Sequence, residues 1–294
     1  MARKRRRRKS RKQNTSVISV LVAIAAVAWG VYTQGGQKQV SIPGITSSVS
    51  QKTSSSSNNS NSTNAVANAG KQNTVYGGLA KSDYQKLAKL DFKSGGKAYI
   101  YVNNNHSTLV KGAWKVNRVI YSNLDKQNRT SSSNTAFLEK RNLANDSLRV
   151  RQYIQPTGWH SNSGSVQIYN RGHLIAYSVS AGIDQDGNYN PKNQSGDQNN
   201  PKNLFTQSAF SNQKIQTIFE SKVRAALRQN KKVIYQATPI FRGTELMARG
   251  INLQAVSTDG TFDFNVYLYN VQPGYVFDYA TGRAKVNRQL QVTE

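Results

Sequence analysis

Polar and apolar positions divide the chain into three stretches. Val17–Tyr32 is sixteen residues without a charge. Widened to Thr15–Gln34, the run reaches the span of about 20 residues that a helix needs to cross a bilayer. From 35 to 75 the pattern vanishes. Ser54–Ser62 consists of serine and asparagine alone, a composition that buries too little apolar surface to offset its ordering entropy and predicts a flexible linker. From 76 onward periodicity returns. Strand-like runs occur at Lys97–Val102, Val116–Tyr121, Val166–Tyr169, Lys232–Ile240, Ile251–Ser257 and Phe262–Tyr269, rich in aromatic and β-branched residues. In the last, Phe262, Phe264, Val266 and Leu268 alternate with Asp263, Asn265, Tyr267 and Tyr269. Ile215, Phe219, Val223 and Leu227 recur every four residues and predict a helix over Asn212–Gln229, with Ser211 as its N-cap. Between Ala181 and Lys202 a Gly-, Asn- and Asp-rich stretch without periodicity predicts a long loop. Strands mixed with a strong helix give one α+β domain over 76–294.

Charge changes the picture at the N-terminus. Nine of the ten residues in 3–12 are Lys or Arg, directly before the apolar run. A basic stretch followed by such a run is a signal sequence or signal anchor, oriented with its positive end in the cytoplasm. No clear small-x-small cleavage site follows it. The expected organisation is therefore a basic cytoplasmic segment at 1–14, a single-pass transmembrane anchor at 15–34, the linker at 35–75, and an extracellular domain beyond, secreted only if the anchor is cut. The chain carries 40 Lys and Arg against 14 Asp and Glu, a formal charge of +26. The excess persists past residue 76 and favours polyanionic partners. The absence of cysteine excludes disulfide scaffolds, thiolate zinc sites and cysteine nucleophiles.

Candidate chemistry then concentrates in two places. Histidine occurs at 106, 160 and 173 only. His173 ends Asn170-Arg171-Gly172-His173, at the end of a strand-like run. An imidazole can take a proton from water near neutral pH. A guanidinium grips phosphate oxygens through two parallel hydrogen bonds, and a glycine between them allows a tight backbone turn. On the helix, Asn212, Gln216, Glu220 and Arg224 are spaced four apart and form a polar row beside the apolar stripe. An amide oxygen near a carboxylate suits Mg²⁺ that keeps most of its waters. Each half is weak alone, because Glu220 and Arg224 by themselves read as a surface ion pair. His160, beside Trp159, reads as structural and His106 as a loop residue. Asp184, Asp186 and Asn188 lack the spacing of a calcium loop.

Taken together, Asn170-Arg171-Gly172-His173, Asn203, Asn212, Glu220 and Arg224 resemble the DNA/RNA non-specific endonuclease family. These are ββα-metal (His-Me finger) nucleases, and the chain is most similar to their membrane-bound DNA-entry branch. Asn203 stands nine residues before Asn212, Glu220 eight after it and Arg224 four beyond that, the family's intervals, and the likeness extends over roughly 110–285. It implies a ββα-metal core with a central antiparallel sheet flanked by helices. It also implies His173 as general base, Asn212 as the direct ligand of a hydrated Mg²⁺ (with Mn²⁺ as a substitute), and Glu220 as orienting the metal's waters. Arg171 and Arg224 would neutralise phosphoryl charge, and Asn203 would fix the loop or the neighbourhood of the nucleophile. The family motif usually opens with Asp where this chain has Asn170, which puts the setting of His173 in question. The family's further arginine upstream has two candidates, Arg149 and Arg151.

The resulting expectation is a membrane-anchored, Mg²⁺-dependent endonuclease that hydrolyses DNA, with RNA an open second substrate, outside the cell and without sequence preference. DNA-uptake machinery is a candidate partner. The alternative is a surface DNA-binding or uptake receptor without catalysis, and a third reading is an envelope protein that grips anionic wall polymers. Cleavage that requires a metal separates the first from the other two.

Overall fold

Residues 75–294 are described by the computed structural model; the expected basic segment, anchor and linker lie outside them. Among the described residues no helix is long and apolar enough to cross a membrane. The described residues form ten strands and two α-helices longer than one turn: α1 (Lys81–Ala88), β1 (Tyr99–Tyr101), β2 (Arg118–Ile120), β3 (Asn134–Leu138), β4 (Tyr169–His173), β5 (Leu204–Ser208), α2 (Thr217–Arg228), β6 (Val233–Ile240), β7 (Gly250–Ser257), β8 (Asp263–Tyr269), β9 (Tyr275–Asp278) and β10 (Arg283–Val286). Six of the strands pair in the order β1-β8-β7-β6-β3-β2, and every pairing is antiparallel. This is the expected α+β architecture around a central antiparallel sheet.

Alternation decides what each face of the sheet meets. Tyr235 and Ala237 of β6, Leu253 and Ala255 of β7, and Phe264, Val266 and Leu268 of β8 point one way and join Ile215, Phe219, Val223 and Leu227 in the main core. The four-residue helical stripe is buried to 1% exposure or less, so α2 lies on this face. Burying a side chain such as Phe219 contributes about 2–3 kcal/mol. On the other half of the β8 alternation, Tyr267 and Asn265 are buried as well. Tyr267 packs with Leu79, Leu87, Ala88 and Val102, because α1 and the chain around it cover the second face. Polar residues on that face find fixed partners. Gln254 accepts from the backbone N–H of Thr108 at 2.8 Å, and Gln236 accepts from that of Leu79 at 3.2 Å.

β4 and β5 stand apart as a two-stranded antiparallel ladder that places Arg171 opposite Thr206, Gly172 opposite Phe205 and His173 opposite Leu204. β5 runs directly into the helix, so β4, β5 and α2 form one ββα unit. The helical turn begins at Ala209, earlier than the periodicity predicts. Its N-terminal cap is Ser208, whose Oγ accepts from the backbone N–H of Ser211 at 3.0 Å; Ser211 itself lies inside the helix and is not the cap. Residues Ser211–Gln216 form a π-helical turn before α2 takes over, a local widening that often marks functional sites.

Candidate active site

The ββα unit brings the two halves of the sequence motif to one cavity. His173, Arg171, Asn212, Glu220 and Arg224 all line a cleft of about 460 Å³. Arg149 and Arg228 line it too. Arg228 continues the four-residue polar row of Asn212, Gln216, Glu220 and Arg224 by one more turn. Of the two upstream arginines, Arg149 lies on the cavity wall while Arg151 does not. Four guanidinium groups against few carboxylates make the cleft a place where phosphate is concentrated.

His173 closes β4 and is 9% exposed. Its Nε2 lies 3.2 Å from the carbonyl oxygen of Gln198. A carbonyl can only accept, so Nε2 carries the proton and Nδ1 keeps the free lone pair. Gln152 Nε2 lies 3.4 Å from Nδ1 and 3.3 Å from Nε2, nearly equidistant and so aligned with neither lone pair. Burial pushes the imidazole pKa down to about 4 from 6.5; the Gln198 carbonyl pulls it up, and the charge of Arg149 lowers it further. The ring is therefore neutral at physiological pH, the form that accepts a proton.

Gly172 is where the structure corrects a physical reason. It does not make a turn; it lies within β4, paired with Phe205. A Cβ built there would stand 2.1 Å from Gln207 Oε1 and 2.9 Å from Phe205 Cε1. Only glycine leaves room for the Gln207 side chain to pass beneath the strand.

Arg171 stacks on Trp159, its guanidinium carbon 4.2 Å from the ring centroid, and Nε donates to the Ile154 carbonyl. Its end groups face the cavity, preoriented by the stack. Arg224 donates from Nη1 to Ser178 Oγ at 2.8 Å and stands 3.8 Å from Glu220 Oε2. Burial pushes the Glu220 pKa up, while a hydrogen bond from Gln216 and the charges of Arg224 and Arg149 hold it down.

Asn203 is elsewhere. It is fully buried and does not line the cavity. Its Oδ1 accepts from the Ile175 backbone N–H at 2.8 Å, and its Nδ2 donates to the Ile175 carbonyl at 3.0 Å. With Leu174 N–H donating to the Asn203 carbonyl at 2.9 Å, the side chain extends the β4–β5 ladder by one step. It holds the chain just past His173 and cannot touch substrate, so of its two expected roles the geometry favours fixing the loop.

Asn212, on the π-helical turn, donates from Nδ2 to Gln207 Oε1 at 2.9 Å. Its Oδ1 accepts from Asn170 Nδ2 at 3.1 Å. An amide oxygen has two lone pairs, so one remains on the cavity side. Among the described residues no group of three or more His, Cys, Asp or Glu could hold a metal. The cavity offers instead the amide oxygen of Asn212 and the carboxylate of Glu220 on one helical face, with Asp146 also on the wall, hard donors that fit a small divalent cation keeping most of its water.

The other histidines lie outside the cleft. His160 Nε2 is 3.0 Å from the Thr281 carbonyl, and the ring packs 5.8 Å from Tyr169. His106 pairs with Asp263 at 3.1 Å on the surface. Asp184 folds its own loop by accepting from the backbone of Asp186 and Asn188.

The family model described as DNA/RNA non-specific endonuclease matches residues 107–259. Among solved structures, the chain is similar to NucA from Streptococcus agalactiae with magnesium ion bound. The identity is 30% and the TM-score 0.57, over 71% of this chain and 98% of that one. NucA from the same organism with no metal bound is 33% identical at a TM-score of 0.55, over 70% of this chain and 96% of that one.

Proposed function

The chain belongs to the DNA/RNA non-specific endonuclease family, and from that premise we propose a Mg²⁺-dependent enzyme with His173 as its general base, held at the membrane with its nuclease domain outside the cell. It hydrolyses phosphodiester bonds as a metal-dependent DNA/RNA endonuclease; the metal's identity, the roles of individual residues and the location are the proposal.

The observation that carries the chemistry is the pairing of His173 Nε2 with the Gln198 carbonyl. It leaves Nδ1 as the proton acceptor for a water in line with the scissile phosphate. Low basicity from burial keeps the ring unprotonated, so the base is available throughout the neutral range. Arg171, Arg224 and Arg149 neutralise charge on the non-bridging phosphoryl oxygens. Asn212 would hold the cation through Oδ1, and Glu220 would accept hydrogen bonds from the water around it. When bound, the cation supplies positive charge beside the departing 3′ oxygen and acidified water to protonate it. Asn203 acts at a distance by pinning Leu174 and Ile175, and thereby the end of β4.

Four arginines line the cleft and favour the phosphate backbone, whose contacts carry no sequence information; this supports cleavage without sequence preference. The basic stretch and apolar run at 3–34 support a single-pass anchor with the domain outside, where DNA is the expected substrate and uptake machinery a candidate partner. Incubation of the full-length chain with supercoiled plasmid, in Mg²⁺ or in EDTA and alongside His173→Ala, tests the chemistry. Degradation that needs both the metal and His173 is expected. Intact but retarded plasmid in Mg²⁺ would sink the reading and leave a DNA receptor. Protease treatment of intact cells tests the topology: loss of the domain with retention of a small membrane-bound stub is expected, and full protection would refute an outward domain.

A further inference from the structure

Five side chains form an unbroken row behind the cavity. Asn170 Nδ2 donates to Asn212 Oδ1 at 3.1 Å, and Asn212 Nδ2 to Gln207 Oε1 at 2.9 Å. Gln207 Nε2 donates to Gln216 Oε1 at 3.0 Å, and Gln216 Nε2 to Glu220 Oε1 at 2.9 Å. Every link runs the same way. Gln207 and Gln216 are both fully buried, so no solvent molecule offers either an alternative partner.

The direction is dictated at one end. The Gln216 NH₂ group faces two oxygens, the Glu220 carboxylate and the His173 carbonyl, the latter at 2.8 Å. A backbone carbonyl never donates, nor does an ionised carboxylate. Reversing Gln216 would bring its oxygen against both of them. Its Oε1 must therefore face Gln207, which obliges Gln207 to present its NH₂ there and its Oε1 to Asn212. That obliges Asn212 to give its NH₂ to Gln207 and leaves Oδ1, the atom a cation needs, on the cavity side. An asparagine without this constraint could present NH₂ to the cation equally well.

We propose that Gln207 and Gln216 are positioning residues which lock the Asn212 amide with its oxygen toward the cavity, the polarity of the row being set by Glu220 and the His173 carbonyl. The proposal rests on the reading of Asn212 as the metal ligand. It also explains two sequence features at once. Gly172 is needed because Gln207 must cross beneath β4. Asn170, where the family usually has Asp, donates to Asn212 Oδ1 in the sense the row requires.

Gln216→Met is the decisive variant, because Gln216 does not touch Asn212 and Met keeps length without polarity. With Gln207 free to turn over, the competent orientation of Asn212 falls to about half or less, and apparent affinity falls by that fraction. Calorimetric titration of the full-length chain with Mg²⁺ alone should show affinity weakened about two- to tenfold. Retardation of plasmid on a gel in EDTA, which needs the fold but not the cation, should stay near wild type, which damage to the fold would not permit. The double variant Gln207→Met/Gln216→Met should bind Mg²⁺ no more weakly than Gln207→Met alone, since both act through one link. Unchanged affinity in Gln216→Met, or losses that multiply in the double variant, would overturn the proposal.

If Asn212→Ala binds Mg²⁺ as tightly as wild type, the ligand reading itself fails, and the proposal with it. If Asn212→Ala loses the metal while Gln216→Met does not, only the positioning role fails. Should the Met variants not fold, Gln207→Glu decides. Because position 207 is fully buried, the carboxyl pKa is raised above its ordinary value: at about pH 5 the neutral acid can accept from Asn212 and donate to Gln216, and at about pH 8 the ionised form cannot donate. Relative to wild type, binding should be normal at the lower pH and weaker at the higher. The opposite order, as a merely added negative charge would produce, overturns the proposal.

Discussion

The six-stranded sheet and the ββα unit are both buried, but different things fill them. Where the inner face of β6, β7 and β8 meets α2, the contact is Tyr235, Leu253, Phe264 and Val266 against Ile215, Phe219 and Val223. Behind the cavity, the ββα unit holds Asn203, Gln207, Ser208, Ser211 and Gln216, each fully buried and each hydrogen-bonded. An apolar interface is non-directional and tolerates repacking. A buried polar row has one arrangement in which every donor meets an acceptor, and errors in it leave unsatisfied groups at about 1–3 kcal/mol each. The sheet therefore supplies stability, and the unit spends some of it to hold His173, Asn212 and Glu220 in one geometry.

Substitutions should separate the two. The largest effect is expected from His173→Ala, which removes the base and should lower kcat/KM by about 10²–10⁴-fold while the melting temperature stays near wild type. A parallel drop in stability would show that the histidine belongs to the core rather than to the chemistry. Phe264→Ala should do the reverse: about 3–5 kcal/mol lost in chemical denaturation, with unchanged specific activity of the folded fraction. Gly172→Ala lies between them, because its Cβ meets Gln207 Oε1 and must displace it. Overpacking of this kind is expected to remove about 1–3 kcal/mol and to weaken Mg²⁺ activation as well, joining in one variant the effects that the first two keep apart.

The pH dependence sharpens the contrast further. Because the folded pKa of His173 lies at about 4, below the ordinary 6.5, the neutral base persists down to about pH 5. At saturating Mg²⁺ its contribution to kcat/KM should be flat from there to neutrality and fall only as pH drops through about 4. For stability the sign is the same. The unfolded chain binds the proton first as pH falls, so the contribution of this group is complete above 6.5 and is lost progressively towards 4. The loss, of about 3 kcal/mol, should vanish in His173→Gln when denaturation is compared at the two ends of that window. The smallest effect is expected from Arg149→Ala. Removing its charge lets the His173 pKa rise, moving the acid limb of the rate profile upward, with a loss of roughly tenfold or less in kcat/KM.

Much of this was legible beforehand. The stripe at Ile215, Phe219, Val223 and Leu227 located α2 because a 3.6-residue period buried on one side leaves an unmistakable pattern. The long strands β6 and β7 were visible as runs rich in aromatic and β-branched residues despite burial at every position, and β8 through its alternation at period two. Of the short strands, β1 and β2 fall within the runs at Lys97–Val102 and Val116–Tyr121, but β3 and β5 left no such run. β3 is Asn134–Leu138 with all five residues buried, and β5 is Leu204–Ser208 with Thr206, Gln207 and Ser208 buried. A strand enclosed on both sides does not alternate, and over only five residues, several of them polar at core positions, too little apolar run remains to mark it. The same blindness hid α1, whose partner surface is the second face of the sheet. In the site, the spacing singled out Asn203, Asn212, Glu220 and Arg224, the last three of which share the cleft. It could not say that Asn203 faces backbone rather than substrate, that Arg149 rather than Arg151 lines the cleft, or that Gly172 makes room instead of a turn.

By itself, then, the amino-acid order determined which stretches pack, where the strong helix lies, and that a histidine, an amide, a carboxylate and arginines recur at intervals suited to phosphodiester hydrolysis. Those are properties of local period and residue type, readable along one dimension. Tertiary structure alone decided which nitrogen of His173 is free, how far burial depresses its basicity, and which way the amides of Asn212, Gln207 and Gln216 point. Each of these depends on a partner distant in the sequence, the Gln198 carbonyl, the walls of the cleft or the His173 carbonyl. Directional bonds and desolvation exist only once those partners have been brought within reach.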